Sequence, residues 1–160
     1  MEATCMLHVR QSQNSLLDQL RTDHPSFKFS LGTSDHWDSL DTIFYTVDTL
    51  DSALLHELAH ALLAHATYTM DIDLLRMERA AWDLARRTLG PRYGVQISNS
   101  EAEDAMDTYR DWLHNRSLCP DCQLSGLQLS TGDYRCVSCR MTWRANAAKT
   151  CALRRFKQPA

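Results

Sequence analysis

The sequence predicts an α+β chain in which a short sheet and several helices are followed by a small cysteine-bearing β unit. Three observations predict this. Residues 27–31 alternate apolar and polar and residues 42–47 are rich in β-branched and aromatic residues, and the stretches around them carry apolar residues at helical spacing. From Ser117 onward, cysteines and short β-type runs replace the helical pattern. Charge divides at the same place: residues 1–118 hold 10 Lys/Arg against 18 Asp/Glu, whereas residues 119–160 hold 7 against 2. Such asymmetry marks units with different partners. The expected boundaries are a first domain at 1–116, a cysteine-bearing unit at 117–145 and a basic tail at 146–160.

In chain order, residues 3–9 read as a first strand and 12–22 as a helix carrying Leu16, Leu17 and Leu20, closed by Pro25. Residues 27–31 alternate as a half-buried strand, 33–40 are polar and read as loop, and 42–47 read as a strand. Asp48 or Asp51 can cap the next helix, which is expected to run to about Ala66 with Leu54, Leu55, Leu58, Leu62 and Leu63 on its core face. A third helix spans 71–89 and is stopped by Gly90-Pro91. A fourth starts at a cap supplied by Ser98, Asn99 or Ser100 and runs through His114. At 160 residues and 44% apolar, the composition is that of an ordinary globular chain. No apolar stretch approaches the roughly 20 residues of a membrane span. The first ten residues lack the pattern of a signal peptide, so the expectation is a cytoplasmic protein without a membrane partner.

The second helix carries His56-Glu57-Leu58-Ala59-His60. Histidines four apart share one face of a helix and can reach one metal ion, with Glu57 beside them to take a proton from water. A catalytic zinc typically takes three protein ligands and leaves one position open. His65 is the nearest further histidine, but nine steps of about 100° put it across an unbroken helix from His56, and no Gly intervenes. Glu78, 18 residues past His60 on the next helix, is the better candidate, because an antiparallel return would bring it back and the small Ala80 and Ala81 would permit close approach. Asp71 and Asp73 are reserves.

His56-Glu57-x-x-His60 followed by Glu78-x-x-Ala81 resembles the gluzincin metallopeptidases, in particular the small ImmA/IrrE-like ones. That resemblance implies a zincin-like domain, His56, His60 and Glu78 as ligands of a catalytic zinc, and Glu57 as the catalytic base of an endopeptidase. Many larger gluzincins place an Asp four residues after the ligand Glu to orient a zinc histidine, and Trp82 stands there instead. A donor for the developing oxyanion is expected among Tyr45, Tyr68, Tyr93, Tyr109, His36 and His114. If the strand before the zinc helix is a sheet edge, a peptide substrate could pair with it.

Cys119-x-x-Cys122 and Cys136-x-x-Cys139, separated by thirteen residues, form the pattern of a closed, structural zinc site. With a hairpin signal between them and a further strand at 141–144, this resembles a zinc ribbon. Cys5 and Cys151 are left over as idle thiols. The basic run after Asp133, with Tyr134, Trp143 and Phe156 interleaved, would suit nucleic acid as a partner. Three functions remain open beside the peptidase. One is a non-catalytic zinc-binding module for nucleic acid or protein, and another is a zinc hydrolase of non-peptide amides. The third is a protease of the SprT-like kind, which also joins H-E-x-x-H to a ribbon, acts on DNA-bound proteins, and takes a downstream His as third ligand.

Overall fold

A computed structural model describes residues 15–146 and 152–158. The strand expected at 3–9, Cys5, Lys149 and Cys151 lie outside the described residues. The fold is α+β, with helices and two separate sheets. By contacts the chain forms two units, one of residues up to Thr67 with Met77–Ala102, the other of Tyr68–Arg76 with the chain from Glu103 onward.

In the first unit, helix α1 (15–23) buries Leu16, Leu17 and Leu20, a single apolar stripe at helical spacing. Strands β1 (Lys28–Leu31), β2 (His36–Trp37) and β3 (Thr42–Tyr45) form a sheet in the order β1-β3-β2. β1 pairs with β3 in parallel from Lys28↔Thr42 to Leu31↔Tyr45, and β2 pairs antiparallel through His36↔Phe44 and Trp37↔Ile43. β3 is therefore the centre of the sheet. Its backbone is paired on both sides, which rules out the expected pairing with substrate there. β2, two residues inside a stretch read as loop, was too short for alternation to reveal.

Helix α2 (Asp51–Leu62) buries Leu54, Leu55 and Leu58 completely or nearly so. The expected carboxylate cap is absent: Leu50 holds the N-cap position without a side-chain bond, and Asp51 is the first helical residue, where its charge still favours the helix dipole. The helix also stops earlier than Ala66. The amide of Ala64 donates to the Ala61 carbonyl (3.1 Å) and that of His65 to the His60 carbonyl (3.0 Å), with Ala64 left-handed at φ 52°. This is a Schellman end built without glycine.

Helix α3 (Asp71–Leu84) continues through a π-helical turn (Ala85–Leu89) into α4 (Gly90–Tyr93). Gly90-Pro91 was expected to stop the helix, but Pro91 falls in the first turn of α4, where its missing N–H is harmless, and Gly94 at φ 71° ends the run. Helix α5 (Asn99–Ser117) starts behind Ser98, whose Oγ accepts the amide of Glu101 at 3.0 Å.

In the second unit, β4 (Gly126–Gln128), β5 (Tyr134–Cys136), β6 (Thr142–Ala145) and β7 (Arg155–Lys157) form an antiparallel sheet in that order. β7 lies within the stretch read as a basic tail. The core is Cys119, Tyr134, Cys136, Trp143 and Ala145, closed by Met141 and Leu153. Gly126 is required at its place, because a Cβ there would overlap the Trp143 ring and come within 3.0 Å of the Arg135 carbonyl. Asp71 is the polar anchor of the unit. It accepts from the Tyr134 hydroxyl, pairs with Arg116 at 3.3 Å, and exchanges hydrogen bonds with the Gln128 amide.

Candidate metal centre

The spacing of His56 and His60 does what helical geometry dictates: their Nε2 atoms lie 3.1 Å apart on one face of α2. α3 supplies Glu78, whose Oε2 is 3.2 Å from His56 Nε2 and 3.5 Å from His60 Nε2. All three are buried, at 6%, 8% and 5% exposure. Donor atoms held tetrahedrally at zinc bond lengths of about 2.1 Å stand roughly 3.4 Å from one another. The observed spacings match that figure. Moreover, Glu78 Oε2 is buried and makes no well-directed hydrogen bond among the described residues despite two imidazoles beside it. The three donor atoms thus lie mutually close enough for one ion to bridge them.

Burial pushes the Glu78 carboxyl up, but the His56 and His60 imidazoles facing it outweigh this and hold it at about 2. It is therefore a carboxylate at any working pH. Neither reserve ligand joins the group. Asp71 is taken up by Tyr134, Gln128 and Arg116, and Asp73 pairs with Arg76 at 3.2 Å.

Glu57 stands between the histidines in sequence and is half-buried. Its Oε2 accepts the backbone N–H of Trp37 at 2.8 Å, so strand β2 fixes one carboxylate oxygen. Burial raises its pKa against the opposing influence of His56 and His60. Each histidine is also held by a neighbour. The His56 ring stacks on Trp82, with centroids 4.2 Å apart and planes 21° from parallel. His60 Nδ1 lies 2.8 Å from His65 Nδ1.

His65 lies outside the His56, His60 and Glu78 group, as expected, but it reaches His60, which an unbroken helix would not allow. The Schellman end turns the chain back, and only the left-handed conformation of an alanine, which no residue letter signals, allows it. Trp82 was noted only as a departure from the gluzincin pattern. Trp37 gave no signal beyond being an aromatic in a polar stretch. Among the expected oxyanion donors, Tyr93 bonds to Asp23 and His24 (2.9 Å each), Tyr45 faces Arg21 at 3.4 Å, and His36 stacks on Phe44. Tyr68, Tyr109 and His114 belong to the other unit.

The second group is Cys119, Cys122, Cys136 and Cys139, all free thiols. Their sulfurs lie 3.6 Å (Cys119–Cys139), 3.4 Å (Cys122–Cys136) and 3.8 Å (Cys122–Cys139) apart. Sulfurs about 2.3 Å from a tetrahedral zinc stand roughly 3.8 Å from one another. Each C-x-x-C is followed by a residue in the left-handed region, Gln123 (φ 63°) and Arg140 (φ 65°), so the two turns are built alike. The clustered thiols titrate together: the backbone N–H groups of Cys139 and Ser138 hold the Cys136 thiol down, while the neighbouring sulfurs push Cys139 and Cys122 up. Both groups are consistent with zinc, and the second is arranged as a zinc ribbon would be.

No family model matches the chain, and no curated protein or solved structure matches it significantly. Among the described residues no helix is long and apolar enough to cross a membrane.

Proposed function

We propose that this chain is a zinc-dependent endopeptidase of the two-histidine, one-glutamate type, similar to the small ImmA/IrrE-like metallopeptidases, with a zinc ribbon that recruits substrate or partner. The observation that carries this reading is Glu57, next to His56 in the chain, whose one carboxylate oxygen is tied to the Trp37 amide and whose carboxyl feels the charges of His56, His60 and Glu78. A metal scaffold needs the ligands but not that acid. The presence of Glu78 in the group favours this type over the SprT-like kind, which uses a third histidine.

His56, His60 and Glu78 would hold the catalytic ion, and the four cysteines a structural one. A zinc ion at the first site would supply the Lewis acidity that activates water and polarises a peptide carbonyl. Glu57 acts as the base. The Trp37 N–H keeps its carboxylate in one orientation, leaving the other oxygen to take a proton from the attacking water and deliver it to the leaving amine. Its raised pKa brings it closer to neutrality, which suits a group that must both accept and release a proton. In the ribbon, the exposed sheet face carries Leu127, Arg135, Arg144 and Phe156, with Arg144 paired to Asp133 at 2.7 Å. Such a face suits recruitment of a protein or single-stranded nucleic acid.

Glu57→Gln tests the mechanism. The variant should keep two zinc ions per chain and lose cleavage of a proteome-derived peptide library read by mass spectrometry. Undiminished cleavage would remove Glu57 from the reaction.

A further inference from the structure

We propose that His65 is a positioning residue that presents His60 to the metal by accepting its Nδ1 proton. The inference rests on the metal reading of His56, His60 and Glu78, but not on the peptidase reading.

An imidazole ligates through Nε2 only when that nitrogen carries a lone pair, so its proton must sit on Nδ1. His60 turns Nε2 toward His56 and Glu78 and Nδ1 toward His65, and the two Nδ1 atoms are 2.8 Å apart. One proton fits between them. On His60, it leaves Nε2 free to ligate. On His65, it forces the remaining His60 proton onto Nε2 and closes that ligand. With its own proton on Nε2, His65 presents Nδ1 as an acceptor, and that acceptor selects the ligating tautomer of His60. Metal-bound histidines ordinarily make this bond to a carboxylate, carbonyl or water. Here an imidazole serves.

The position of His65 is fixed from three directions. Its amide donates to the His60 carbonyl at 3.0 Å, its carbonyl accepts from the Trp37 indole N–H at 3.0 Å, and the preceding Ala64 adopts φ 52°, a region that alanine rarely enters. Strain of this kind persists only where surrounding contacts over-determine it, and it gathers at functional places. His56 provides the contrast. Its Nδ1 is buried with no hydrogen-bond partner among the described residues, and its ring is held by stacking on Trp82. The two histidines are thus oriented by different means, and of the two only His60 has a side chain facing its Nδ1.

The test compares His65→Leu with His65→Asn, whose side-chain oxygen can accept the same proton. Zinc affinity is read by competition with a chelator, and the ribbon zinc serves as an internal control. His65→Leu should bind the first-site zinc about 10–100-fold more weakly with the ribbon zinc unchanged. His65→Asn should recover most of the loss. In the zinc-loaded wild type and in His65→Asn, a long-range proton–nitrogen spectrum should show a His60 Nδ1 proton protected from exchange, and in His65→Leu that protection should disappear. Wild-type affinity in His65→Leu, or an Asn variant no better than Leu, would overturn the positioning role. Wild-type protein that takes up only the ribbon zinc would overturn the site assignment itself.

Discussion

Replacing Glu78 by Gln keeps the shape of the side chain and removes its charge. Glu78 is the sole donor that α3 contributes to the group, and its Oε2 stands 3.2 and 3.5 Å from the two imidazole nitrogens. Because its carboxyl is held at about 2, no proton competes with metal at neutral pH in the wild type. Structural zinc bound by four ligands is worth about 10–16 kcal/mol, or roughly 2.5–4 kcal/mol per ligand, which at 1.4 kcal/mol per decade is about 10²–10³-fold in affinity. The variant should therefore hold one zinc per chain where wild type holds two, when free zinc is buffered between the two affinities. Elemental analysis of protein equilibrated with the buffered metal reads this directly. His60→Ala should behave in the same way, and Cys136→Ser should lose the other ion. If Glu78→Gln keeps both ions with an unchanged binding midpoint, Glu78 is not a ligand, and the convergence of the three side chains has another cause.

Two further outcomes follow from the ribbon unit. Gly126→Ala should destabilise it by about 1–3 kcal/mol, since the buried Trp143 ring must move to admit a methyl group; thermal unfolding should show a lowered midpoint, and an unchanged one would mean that the ring moves freely. Burial and the hydrogen bond to Asp71 raise the Tyr134 pKa, so the folded state favours the neutral hydroxyl. The stability this contributes is complete below the ordinary tyrosine range near pH ~10 and is lost as pH rises through and beyond it. Denaturant unfolding between pH 8 and 11 should therefore fall more steeply for wild type than for Tyr134→Phe. Parallel curves would contradict the coupling.

What was legible in the sequence was whatever depends on period and spacing. The i, i+4 histidines, the paired C-x-x-C turns and the buried Leu54, Leu55 and Leu58 of α2 each follow from local geometry and stand where the letters put them, whereas Leu62 and Leu63, expected on the same core face, are exposed because the helix ends there. Glu78 needed only a helix reversal of ordinary length. The misreadings arose where one residue's backbone decided the path. Ala64 turns left-handed with no glycine to announce it, so α2 ended early and His65 came to His60. Pro91 was absorbed into a helical first turn, so α4 formed where a stop was expected. Pairing partners were equally hidden. β3 reads as a strand from its composition, but its central place depends on β2, a two-residue strand whose Trp37 amide is what holds Glu57.

The left-handed turn at Ala64 bears on how this motif would vary among related chains. A chain that replaces His65 has no reason to retain that turn, and a β-branched residue at 64 would then cost it nothing at the metal. A chain that keeps His65 should hold Ala, Gly or Asn before it. Positions 64 and 65 should change together, so the ten-residue word H-E-x-x-H-x-x-x-x-H with a small ninth residue is a more selective signature than the five letters inside it.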